Sequence, residues 1–203
     1  MEWRERYERA AARYAAGETR ELDERQLVQL ANSAWAAGLS LLMAGDREEA
    51  AEWLRRSAAR YRESWDEGGA TEAWGRPLGA MKALLIAGDD ADEVAHWTLE
   101  TCLGVRHLDM SVSSVGRYAG VLALLILGRD EEAFEVAATL GGEFPSDVAE
   151  ALLALASHDA EAYGVAVAAV RCSFEEREAF LEDVPVPDTA LALDALAARR
   201  GLG

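Results

Sequence analysis

Three features of this sequence predict an all-α chain built from stacked antiparallel helix pairs. Only 4 prolines occur among 203 residues, so few positions forbid a helix. Period-2 alternation of apolar and polar residues is absent, and no segment reads as a hairpin. Most telling is a recurring motif: an aliphatic pair, a small residue, a turn, then acids and alanine. It reads LLMAGDREEAAEWL from Leu41, LLIAGDDADEVAHW from Leu84, LLILGRDEEAFEVA from Leu124 and LLALASHDAEAYGV from Leu152.

Each copy has a mechanical reading. The aliphatics end one helix, and a glycine in the left-handed conformation closes it. The turn positions are Gly45, Gly88, Gly128 and Ser157, separated by 43, 40 and 29 residues. Helix-pair repeats run to about 34–47 residues. A short connection forces consecutive helices antiparallel, and Ala50, Ala133 and Ala162 let the partners approach closely.

Taken in order, about eleven helices are predicted, at 2–16, 24–44, 46–66, 71–87, 90–105, 110–127, 130–140, 146–157, 159–171, 173–183 and 188–200. Asp23 with Gln26, Asp46 with Glu49, Asp90 with Glu93 and Ser173 with Glu176 have the spacing of capping boxes. Pro145–Ser146–Asp147 stops one helix and starts another. The last helix, DTALALDALAARR from Asp188, opens on an acid, ends on two arginines that suit the helix dipole, and is followed by Gly201. The chain reads as one domain, most repeat-like over 24–171, with capping helices over 173–200.

Charge narrows the setting. There are 37 acidic and 20 basic residues, a formal net charge of −17, and Lys82 is the single lysine. In molar salt the Debye length shrinks to about 3 Å, so such self-repulsion nearly vanishes, whereas in dilute buffer it opposes the compact state. Acid excess with lysine depletion fits a halophilic proteome; an arginine-rich, GC-rich genome with an ordinary acidic protein is the alternative. The N-terminal stretch lacks an apolar core of the secretory kind. The longest apolar run, Ala119–Leu127, is far short of the roughly 20 residues that span a bilayer. A cytoplasmic location, with no membrane partner, is the expectation. Cys102 and Cys172 are too few for a disulfide framework or zinc site.

The stretch Gly38–Ala58 resembles a tetratricopeptide repeat. Gly38 stands at that family's small position seven residues before the turn glycine, Gly45. Ala50 and Leu54 match its alanine and bulky positions, and Ser57 replaces a second alanine. The third copy carries Ala133 and Pro145 at family positions but Val121 at the small one; the second has an extra turn residue and the fourth lacks the glycine. The resemblance implies a superhelix or a more compact solenoid that binds a protein or peptide. Its register places Asn32, Trp35 and Leu39, then Leu78 and Lys82, then Tyr118 and Leu122 on the concave face. On that face Lys82 either grips an acidic group or is a chance survivor. The tail, SFEEREAFLEDV–PVP–ALALDALAARRGL, is similar in layout to all-helical immunity proteins that neutralise toxins by binding them.

No chemistry-bearing pattern competes with a binding role. Cys102, His107 and Asp109 supply a nucleophile, a base and an acid within eight residues. Their simpler reading is a small helix residue and polar loop residues. Metal-ligand spacings and phosphate-cradling glycine loops are absent, so no metal or cofactor is expected. The acidic run Gly88–Glu93 lacks the mid-loop glycine and distal glutamate of a calcium loop. Arg55, Arg56, Arg60 and Arg62 alternate with Glu52 and Glu63, which suits ion pairs better than phosphate contacts; no nucleic-acid partner is expected. Of six tryptophans, most are expected in the core. Thus no enzyme is predicted.

Overall fold

The structure, a computed structural model, describes residues 2–18, 22–68, 73–104 and 112–202. Among the described residues the chain is all-α, without a strand. The helices are α1 (Trp3–Gly17), α2 (Glu24–Ala44), α3 (Arg47–Gly68), α4 (Gly75–Ala87), α5 (Asp92–Trp97), α6 (Ser114–Ile126), α7 (Asp130–Ala137), α8 (Ser146–Ala156), α9 (Ala160–Glu175) and α10 (Asp188–Arg199). A π-helical turn, Thr98–Leu103, continues α5. Residues group into two compact units: Met1–Asp89 with Glu178–Asp188, and Asp90–Arg177 with Thr189–Gly203.

In the first unit, α2 is central because it carries no charge from Gln26 to Ala44 and can be covered nearly all round. It packs against α1 and α3, and α3 against α4. By length and composition α2 could cross a bilayer, but 67 % of its most apolar stretch is buried, the pattern of a core helix. An Asp23–Gln26 capping box opens it: the Gln26 amide donates to Asp23 at 2.8 Å and the Asp23 amide to Gln26 at 3.0 Å. The residues carrying the tetratricopeptide resemblance meet in space. A Cβ on Gly38 would lie 2.8 Å from Leu54 Cγ and 3.1 Å from the Ala50 carbonyl. Small residues here let two backbones approach. Ser57, in place of a family alanine, donates to the Ala31 carbonyl at 2.9 Å, which satisfies its buried hydroxyl.

Four turns share one hydrogen-bond pattern. Gly45, Gly88 and Gly128 have positive φ, and each donates three residues back while its successor donates five back, to Leu41, Leu84 and Leu124. These are Schellman closures. In the fourth copy the left-handed residue is His158 (φ 54°), not Ser157, with Asp159 donating to the Ala154 carbonyl. The expected turn position is therefore one residue early, since the hydrogen-bond pattern follows the helix end rather than the nearest small residue.

In the second unit, α6 is buried over most of its length and packs on α7, and α8 packs on α7 and α9. Arg200 ties the end of the chain to this unit by donating to the carbonyls of Leu125 and Leu155 at the ends of α6 and α8, and to Asp130. Two side chains from α9, Tyr163 (2.9 Å) and Arg171, converge on Asp194 of α10.

Three expected elements change. Asp90 accepts from the Asp92 amide at 2.8 Å instead of joining a box with Glu93, so α5 starts two residues late. The predicted start at Ser173 lies inside α9. The predicted helix 173–183 is otherwise replaced: beyond α9 the chain forms only a 3₁₀ turn, Leu181–Asp183, with Glu182 (φ 54°) and Asp183 (φ 59°) left-handed. Arg13 holds the Glu182 carboxylate and Arg6 the Asp183 carbonyl, and that tertiary hold overrides local helix preference.

Candidate binding surface

Segment 178–188, which we call the strap, belongs to the first unit and organises its most distinctive surface. The 3₁₀ turn within it packs on α2. Arg13 of α1 pairs with Glu182 at 2.8 Å, and Arg6 donates to the Asp183 carbonyl. At the far end the Lys82 ammonium of α4 pairs with Asp188. Between these anchors Val184 and Val186 are 5 % and 2 % exposed. Burying a valine stabilises by about 1.5–3 kcal/mol at most, so the two side chains rank with the ion pairs as fixings.

Beneath the strap lies a polar cluster. Lys82 Nζ sits 5.6 Å from the Trp35 ring centroid, within cation–π range. The Tyr61 hydroxyl donates to Asn32 Oδ1 at 2.7 Å. Burial, and then the charges of Asp188 and Glu182, push the Tyr61 phenol above its ordinary value, so it stays a neutral donor. Two hollows flank the strap. One, about 650 Å³, is lined by Val28, Gln29, Asn32, Tyr61, Arg76 and Leu181 among others. The other, about 340 Å³, includes Arg13, Gln26, Gln29, Leu30, Ser33 and Glu182. Consecutive strap residues thus face different hollows, and Gln29 borders both. Arg76 is positioned by the Ser64 carbonyl (2.6 Å) and Glu24 (3.3 Å).

The seven residues assigned to a concave face have the following places. Asn32 and Leu78 are half-buried, and Trp35, Leu39 and Lys82 are buried in the first unit. Tyr118 and Leu122 are buried in the second, where Tyr118 meets the Phe144 ring edge-on at 5.5 Å. Five of the seven are therefore interior packing groups, and Asn32 borders an open hollow. Lys82 pairs with an acidic group of its own chain, Asp188. Sequence reasoning missed Tyr61, Arg13 and Gln29. Tyr61 was legible only through its spacing on α3, and the other two required knowing where the strap lies.

Five tryptophans, Trp35, Trp53, Trp65, Trp74 and Trp97, are buried, the place expected for core residues but not for Trp35, which the repeat register puts on the concave face. Trp53 stacks edge-on with Tyr7 and Tyr14. Of the arginine group, Arg55 forms a two-point bond with Asp89, Arg60 pairs with Glu63 and Glu18, and Arg56 lies over the Trp53 ring. Cys102 is half-buried; His107 and Asp109 lie outside the described residues. Among the described residues no group of three His, Cys, Asp or Glu side chains is placed to hold a metal ion. A further shallow groove, about 570 Å³, lies on α8–α9 beside Val165, which is 71 % exposed.

Compared with known proteins, the chain matches no protein-family model, no curated protein and no solved structure.

Proposed function

We propose that this protein is a non-catalytic, polypeptide-binding module of tetratricopeptide-like build, working in the cytoplasm through the α2 surface of its first unit. One observation carries the reading: an extended piece of polypeptide is already seated there, gripped by side chains and flanked by two hollows. Surfaces that grip polypeptide combine an apolar anchor with a few charged pairs that set register. Val184 and Val186 with Lys82 and Arg13 have that composition. The test is capture with the purified protein and with Gln29→Trp, an exposed position bordering both hollows, where a large ring obstructs them without entering the core. A partner held by the wild type should be lost by the variant at unchanged thermal stability. Equal capture by both would refute the assignment.

The second reading, an immunity protein neutralising a toxin by direct contact, draws on net charge. At −17 the chain suits a basic partner, and the α2–α3 turn presents Asp46, Glu48, Glu49 and Glu52 around one hollow. Capture that survives Gln29→Trp but falls steeply with salt would favour it. The acidic, lysine-poor composition supports a high-salt setting in either case.

A further inference from the structure

We propose that the strap is a displaceable self-ligand: the surface it covers recognises an extended acidic peptide with a Val-Pro-Val-Pro-Asp-like core, and the strap holds that surface closed in cis. The inference rests on the reading of the first unit as a polypeptide-binding surface, and it names the ligand chemistry and the regulation.

Four observations converge. First, among the described residues the backbone hydrogen bonds of the strap's proline-rich half stay within the strap. The Val186 and Asp188 amides donate to the carbonyls two residues back, Val184 and Val186, at 2.9 and 2.7 Å. These γ-turns around Pro185 and Pro187 pre-shape an extended chain and leave recognition to side chains. Second, the hold includes side-chain fixings that charge substitution can remove: Glu182 on Arg13 and Asp188 on Lys82, beside the Asp183 carbonyl on Arg6 and two buried valines. Third, Glu182 and Asp183 are successive left-handed residues, a conformation disfavoured for side-chain-bearing residues and kept only where contacts impose it. Release of the strap relieves that strain. Fourth, open hollows adjoin the strap at Leu181 and Glu182, which gives an incoming peptide a first place to touch this surface.

Charge selects the occupant. Lys82, the only lysine in a chain of net charge −17, and Arg6 and Arg13 all face the strap. Within eleven residues the strap carries Glu178, Glu182, Asp183 and Asp188. A basic peptide would meet these cations; an acidic one reproduces the present contacts.

The probe is a fluorescein-labelled peptide of residues 178–188, EAFLEDVPVPD, titrated by anisotropy against the full chain. A tethered strap competes at an effective concentration on the order of millimolar. Wild type should therefore bind weakly, and Glu182→Gln/Asp188→Asn should bind at least about tenfold more tightly. Adding Lys82→Met to that variant should reverse the gain. A folded double variant that binds no better than wild type, or a gain indifferent to Lys82→Met, overturns the proposal. Hydrogen exchange on the wild type covers the case in which the variant does not fold. Excess unlabelled peptide should speed exchange of the Val186 and Asp188 amides and leave those of Leu39 and Leu41 protected; unchanged strap exchange overturns the proposal. If Gln29→Trp abolishes partner capture while the peptide neither binds nor alters exchange, the binding reading stands and the self-ligand fails.

Discussion

Replacing Asp188 by asparagine removes the carboxylate from the Lys82 ammonium without changing side-chain volume. The Lys82 side chain is 10 % exposed and that of Asp188 22 %. Removing one partner of a fully buried pair costs about 3–5 kcal/mol, because the remaining charge stays desolvated. Here Asp188 keeps a fifth of its exposure and water can reach the asparagine amide, so the expected loss is about 2–3 kcal/mol. Lys82→Met keeps the apolar stem and strands a carboxylate that is better hydrated than the ammonium, for about 1–2 kcal/mol. The double variant should cost close to Lys82→Met alone, a coupling of about 2–3 kcal/mol. Urea unfolding reads these differences, followed by tryptophan fluorescence, since Trp35 lies 5.6 Å from the ammonium, and by far-ultraviolet circular dichroism. The coupling should persist in 1 M salt, where exposed pairs are screened. Asp188→Asn within about 0.5 kcal/mol of wild type, or single losses that simply add, would refute a buried, mutually dependent pair.

Other consequences are narrower. Gly38→Ala forces a methyl to 2.8 Å from Leu54 and should cost about 1–3 kcal/mol in the same unfolding assay. Gly45→Ala meets no atom within 4 Å, so its cost, about 1 kcal/mol, should come from the positive φ alone. Asp130 is pushed up by burial but pulled further down by hydrogen bonds from His158 and Arg200, and the net carboxyl pKa is lowered. Its contribution to stability is therefore complete above the ordinary value of 3.8 and is lost as pH falls below it through the depressed value. Between pH 5 and 3, wild type should lose more stability than Asp130→Asn; parallel profiles would contradict this. If the acidic surface is adapted to salt, the thermal midpoint should rise from dilute buffer to molar salt, and a midpoint indifferent to salt would sink that reading.

Helix placement was legible in the residues because the signals are local. The Asp23–Gln26 box and the closures at Gly45, Gly88 and Gly128 involve atoms within six residues of one another, so spacing suffices to find them. Gly38, Ala50 and Leu54 entered only as positions of the tetratricopeptide resemblance, and their meeting in space is a finding of the structure. Exposure of the candidate site was not legible, since Trp35, Lys82 and Tyr118 have the residue types of a binding face and are nonetheless buried. Nor was the fate of 173–183. Its composition favours a helix, but Arg13 takes the Glu182 carboxylate and Arg6 the Asp183 carbonyl, from 169 and 177 residues away in sequence, once the first unit is assembled. Sequence by itself determined an all-α chain and the sites of its turns, because short-range hydrogen bonding decides both. Only the tertiary structure decided that the lone lysine grips an aspartate of its own chain, because which charges meet depends on long-range packing that spacing does not encode.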